Sequence, residues 1–126
     1  MRPVEYRDIP WMIEAYKDWH TFSGKEPITE QKVIDYVRRW IYRDDENCLV
    51  NDDGCAFITY RADPEDEAKV IVDNILTHPD HRQQGHAKHL IQELTDYLIG
   101  VGFIEASFKT LPGPIRNKYP TGIVRA

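Results

Sequence analysis

At 126 residues, 41% of them hydrophobic, the chain is long enough for one domain with a single moderate core and short for two, so residues 1–126 read as one domain. No apolar run reaches the roughly 18 residues of a membrane helix, and Met1-Arg2-Pro3-Val4-Glu5-Tyr6 lacks the apolar segment of a secretory signal, so a soluble cytoplasmic protein with no membrane partner is expected. A net charge of −5 without a long basic stripe disfavours nucleic acid as a main partner.

The charge is unevenly divided. Residues 1–80 carry 18 acidic and 10 basic side chains, a net of −8, whereas residues 81–126 carry 3 acidic and 6 basic, a net of +3. The acidic part favours a cationic acceptor such as an amine, or simply supplies solvated loops.

Val4-Glu5-Tyr6-Arg7 reads as a short first strand, with Asp8 a candidate N-cap and Pro10 in the first turn of a helix. Trp11, Ala15, Trp19 and Phe22 follow at three- and four-residue spacing, an aromatic face suited to the core or to a ligand wall. Ser23-Gly24-Lys25-Glu26-Pro27 breaks this helix and Thr29 caps a second, whose apolar face is Val33, Ile34, Val37, Trp40 and Ile41. Asn47–Val50 and Cys55–Arg61, separated by Asn51-Asp52-Asp53-Gly54, read as an antiparallel hairpin. Cys48 and Cys55 fit free thiols on neighbouring strands.

A long strand is expected from about Ala68 to Thr77. Pro79 ends its regular pairing and the chain turns through Arg82-Gln83-Gln84-Gly85-His86-Ala87. Ala87, Leu90, Ile91, Leu94 and Leu98 then mark one face of a helix, and Phe103–Phe108 a further strand. Residues 70–98 and the strand after them thus form a β-α-β crossover. Gly85 would let backbone N–H groups approach a ligand, the helix N-terminus attracts phosphate, and Arg82 adds a fixed positive charge.

This stretch resembles the acetyl-coenzyme A binding core of the Gcn5-related N-acetyltransferases: Arg or Gln, two residues, Gly, one residue, then Gly or Ala, matched here by Arg82, Gly85 and Ala87. The resemblance implies an α/β (α+β) fold with a mixed central sheet flanked by helices, matched over roughly residues 3–110. It implies acetyl-coenzyme A as cosubstrate, with backbone from Gln83 through Gln84, Gly85 and His86 to Ala87 on the pyrophosphate. The strand backbone at Ile75, Leu76 and Thr77 would meet the pantetheine arm, and Asn117 would approach the same arm. The implied activity is direct transfer, through a ternary complex, to a primary amine of a small molecule or protein. The alternative is a noncatalytic acyl-coenzyme A binding or structural protein of the same fold.

Two residues are candidates for proton transfer. Asp73, on the expected strand face of Ile75 and about 6.6 Å from it, is a candidate base, or else a salt-bridge or acceptor-binding residue. Tyr119 is the candidate general acid, because Tyr119-Pro120-Thr121-Gly122-Ile123 resembles the family's Tyr before a Gly-Phe pair; a packing role is the other reading. His78, His81, His86 and His89 lack a recognised zinc spacing, and no metal site is expected. The Pro-rich tail 111–126 leaves room for one short strand, so the family's C-terminal strands are reduced. The acceptor wall they would form is missing, supplied by another subunit in a homodimer, or built from the tail.

Overall fold

In the computed structural model, residues 1–24, 26–108 and 123–125 are described, the last three and Phe22 and Phe108 through their backbone alone. Among the described residues, six strands form one sheet in sequence order: β1 (Arg2–Pro3), β2 (Glu46–Val50), β3 (Ala56–Asp63), β4 (Asp66–Thr77), β5 (Glu105–Phe108) and β6 (Ile123–Arg125). Neighbours are antiparallel except β4 and β5, which run parallel. That exception is the crossover, made by helix α3 (His86–Gly100). Helices α1 (Ile9–Ser23) and α2 (Glu30–Tyr42) precede β2.

Strand alternation sorts the apolar side chains into two layers. On one face Met12, Ala15 and Tyr16 of α1 and Val33, Val37 and Trp40 of α2 pack with Phe57 and Leu76. On the other, Leu90, Ile91, Leu94 and Leu98 of α3 pack with Ala56, Ile58, Val70, Val72 and Ile75. Of the expected faces, Ala15, Val33, Val37 and Trp40 are buried and Trp11, Trp19 and Ile41 partly so, Ile34 stays outside the core cluster, the Phe22 side chain lies outside the description, and α1 also buries Met12 and Tyr16. Thr29 caps α2 as expected, its Oγ1 accepting the Lys32 N–H at 3.2 Å. Cys48 and Cys55 are free and buried.

The first strand departs from expectation. Pairing with β2 involves Arg2 and Pro3, and Tyr6–Asp8 forms a 3-10 turn. The cause is Asp8, whose buried carboxylate accepts from both terminal nitrogens of Arg2 (2.9 and 2.8 Å), the Glu5 N–H (2.9 Å) and the Trp11 indole (3.0 Å). Gathering donors three residues to either side curls the chain. Asp8 does precede α1, but its carboxylate is committed to these partners and makes no helix cap. Burial would push this carboxyl up; the bonds from Arg2, Glu5 and Trp11 outweigh it and hold the pKa below the usual carboxylate range.

A second departure lies within β4. The register passes from Tyr60 opposite Val72 to Thr59 opposite Asn74, leaving Asp73 as an extra, bulged residue. The bulge resets the alternation. Asp73 reaches Arg61 and Asn74 reaches Thr59, both toward α1 and α2, while Ile75 turns into the α3 layer. Asp73 and Ile75 thus do not share a face, because strict two-residue alternation holds only in an unbulged strand.

Candidate active site

The turn after β4 is built from unusual backbone. Pro79–His81 makes one 3-10 turn, Arg82 is extended, and Gln83 (φ 61°) and Gly85 (φ 81°) occupy the left-handed region. Gln83 is the one non-glycine residue with positive φ among the described residues, a conformation that costs a side-chain-bearing residue about 1–2 kcal/mol. At Gly85 a Cβ would find nothing within 4 Å, so the space above the turn is open. The first helical bond of α3 from this turn is His89 N–H to Gly85 C=O, at 3.0 Å. The N–H groups of His86, Ala87 and Lys88 come before it in the first turn, where α-helices leave donors unpaired and attract anions. The turn therefore fits a pyrophosphate.

Two contacts fasten it to α1: His78 Nε2 meets Glu14, and Arg82 Nη2 pairs with Asp18. Sequence reasoning missed this clasp. The available signal was an acidic i, i+4 pair on α1, but nothing local says which loop it faces.

β4 and β5 pair from Lys69 opposite Glu105 to Val72 opposite Phe108, and β4 then continues alone to Thr77 on that side, among the described residues. Among the described residues, its backbone groups beyond Val72 have no strand partner on that side and can pair with an extended, amide-bearing chain. Ile75 and Leu76 are buried in opposite layers, so only their main chain can serve such a ligand. Thr77 lies opposite Ala56 at the strand end.

Beside the bulged stretch of β4, a cavity of about 500 Å³ opens between the sheet and α1 and α2. Tyr16, Trp19, Tyr36 and Trp40 supply aromatic walls, and Thr59, Arg61, Asp73 and Asn74 line its sheet side. Two ion pairs line it: Arg39 Nε to Glu46 Oε2 at 2.6 Å and Arg61 Nε to Asp73 Oδ2 at 2.9 Å. Asn74 Nδ2 donates to Thr59 Oγ1 at 3.2 Å. Burial pushes the Tyr16 phenol well above its ordinary pKa, so it stays protonated, and burial with the nearby Tyr97 pushes Tyr60 up to about 12. Tyr16 and Tyr36 were absent from the sequence-based candidates; they become visible as wall residues only once α1 and α2 are docked on the sheet.

Residues 11–112 match the profile of the Acetyltransferase (GNAT) family. The chain belongs to that family. No curated protein matches the sequence. Among solved structures, an acetyltransferase from Thermus thermophilus superposes with a TM-score of 0.75 at 13% identity, covering 94% of this chain and 80% of that one. The PaiA N-acetyltransferase from Thermoplasma acidophilum in complex with coenzyme A gives 0.68 at 16% identity, covering 96% and 86%. The ribosomal-protein-S18-alanine N-acetyltransferase of Escherichia coli gives 0.63 at 18%, covering 98% and 76%. These likenesses carry the GNAT fold, a mixed sheet between helices.

Arg82 to Ala87 thus form one turn, and Asp73 opens into the cavity. Gln84 Oε1 lies 3.2 Å from His86 Nε2, and Ala87 packs partly into the α3 layer. Tyr119 and Asn117 fall outside the described residues. The histidines divide: His78 pairs with Glu14 and His89 with Glu93 (3.3 Å), whereas His81 and His86 come together with Cys55.

Proposed function

We propose that this GNAT-family chain transfers an acetyl group from acetyl-coenzyme A to a primary amine of a small molecule or protein in a direct ternary complex. One observation supports the reading: among the described residues the β4–β5 pairing ends at Val72, and the bulge at the next residue turns Asp73 and Asn74 into the aromatic cavity. A cleft for an extended donor and a chamber for an acceptor therefore meet at one point of one strand.

Acetyl-coenzyme A, when bound, supplies a thioester carbonyl activated toward an amine. The residues of the chain do the rest. The backbone from Gln83 to Ala87 holds the pyrophosphate, with Arg82 adding charge. The main chain of Ile75, Leu76 and Thr77 pairs with the pantetheine arm and donates toward the thioester oxygen. Asp73, anchored through Oδ2 to Arg61, receives the acceptor's ammonium group or takes its proton through water. Tyr119 returns a proton to the sulfur from its phenol, the role its place in the family pattern supports.

Gly85→Val tests donor binding. A β-branched residue at φ 81° both strains the turn and fills the open space above it. Calorimetry is expected to show acetyl-coenzyme A affinity falling at least about tenfold, while Gln92→Ala on the exposed face of α3 leaves it unchanged. Equal affinities for the two variants would overturn the assignment.

A further inference from the structure

The fold assembles a thiol and two imidazoles from three separate places. Cys55 ends the β2–β3 turn, His81 ends the 3-10 turn, and His86 begins α3, yet one ligand atom from each lies within 4.8 Å of the others. His81 and His86 bracket the cradle residues Arg82–Gly85, and Cys55 is fixed to the sheet.

We propose that Cys55, His81 and His86 form a binding site for a zinc-class divalent ion that clips the two ends of the cradle turn together. The donor chemistry selects the ion: one thiolate and two imidazoles suit zinc and its borderline neighbours, not magnesium or calcium, which take oxygen. Three protein ligands leave a fourth tetrahedral position for water. Zinc bonds of about 2.0–2.3 Å place ligand atoms roughly 3.3–3.6 Å apart, so closure from a spacing within 4.8 Å needs at most about 1.5 Å. The exposed His81 ring supplies that movement by rotation.

The local hydrogen bonds already aim the lone pairs. In the Nε2–H tautomer of His86, Gln84 Oε1 accepts from Nε2 at 3.2 Å and Nδ1 is left as the acceptor. Asn51 Nδ2 donates to that Nδ1 (3.2 Å) and also to Cys55 Sγ (3.5 Å). Two acceptors thus converge on one positively polarised group, where a cation has the same electrostatic complement. Asn51 Oδ1 is itself held by the Cys55 and Ala56 N–H groups at 2.9 and 3.0 Å, which fixes the thiol end of the site. As the metal–sulfur bond forms, the Sγ proton leaves to solvent.

The test uses the full chain, stripped of metal and titrated with zinc against a chromophoric chelator, then with cobalt(II) as a spectroscopic probe. One zinc per chain is expected, with a thiolate-to-cobalt charge-transfer band in the near ultraviolet, and zinc should slow amide exchange at Gln83 to Gly85. Cys55→Ser should abolish the band and weaken zinc about 100-fold or more, and His81→Gln should weaken it comparably. His89→Gln, altering a histidine paired with Glu93, should change nothing. If Cys55→Ser fails to fold, exposed His81 carries the test. Zinc binding that is absent in the parent chain, or unchanged in His81→Gln, would overturn the proposal.

Discussion

At the residue scale, Asp8 and Asp73 show one side-chain type doing two kinds of work. Asp8 is buried and gathers four donor bonds, so it holds the start of α1 against the sheet. Asp8→Asn keeps the shape but strips the charge facing Arg2, and is expected to cost about 2 kcal/mol in urea unfolding at pH 7. Because the folded carboxyl titrates below its unfolded value near 4, its contribution is present above that pH and lost as pH falls through the folded pKa. The stability gap between parent and variant should therefore narrow below about pH 4; a gap constant down to pH 2 would contradict this. Asp73, by contrast, is paired with Arg61 at the cavity. Asp73→Asn should alter the acidic limb of the pH–rate profile if it relays the amine proton, and Tyr119→Phe should lower kcat by something like 100-fold with little change in acetyl-coenzyme A affinity. Unchanged turnover in both variants would remove them from the chemistry.

At the element scale, the helices and most strands were legible because their signals are local. Leu90, Ile91, Leu94 and Leu98 announce the buried face of α3, Thr29 announces the start of α2, and Asp53-Gly54 announces the hairpin. The bulge was not legible. Val70 to Thr77 reads as an even alternation, and only the mismatch between Tyr60–Val72 and Thr59–Asn74 reveals that Asp73 is extra. The meeting of Cys55 with His81 and His86 was hidden for a related reason, since it depends on which strand ends lie side by side. The α1–α2 layer converges on β3 at Phe57, fully buried and 5.6–6.0 Å by ring centroid from Trp11, Tyr16 and Trp40. Phe57→Ala should cost about 3–5 kcal/mol and loosen the cavity wall formed by Tyr16 and Trp40. A loss below about 1 kcal/mol in chemical denaturation would show that the aromatic cluster collapses around the gap.

At the scale of the whole molecule, the sheet separates two jobs. Its α3 face carries the cradle turn and its α1–α2 face carries the cavity, and the strand that divides them, β4, touches both. Arg82–Asp18 and His78–Glu14 tie the cradle turn across to α1, so the turn and the α1–α2 layer are joined. The basic C-terminal portion and acidic N-terminal portion of the sequence correspond to these two sides only in part, because the cavity lining itself balances Arg39 and Arg61 against Glu46 and Asp73. Cleft and cavity meeting at Val72–Asp73 is the arrangement that transfer requires and that storage of an acyl thioester alone does not. The direct measurement is free-thiol release from acetyl-coenzyme A across a panel of primary amines and peptides, with Gly85→Val as the control. Release that depends on an acceptor, and that falls sharply in the Gly85 variant at limiting acetyl-coenzyme A, is the expected result. Tight acetyl-coenzyme A binding by the parent chain with no acceptor-dependent release across the panel would contradict transfer and leave a noncatalytic acyl-coenzyme A binding protein.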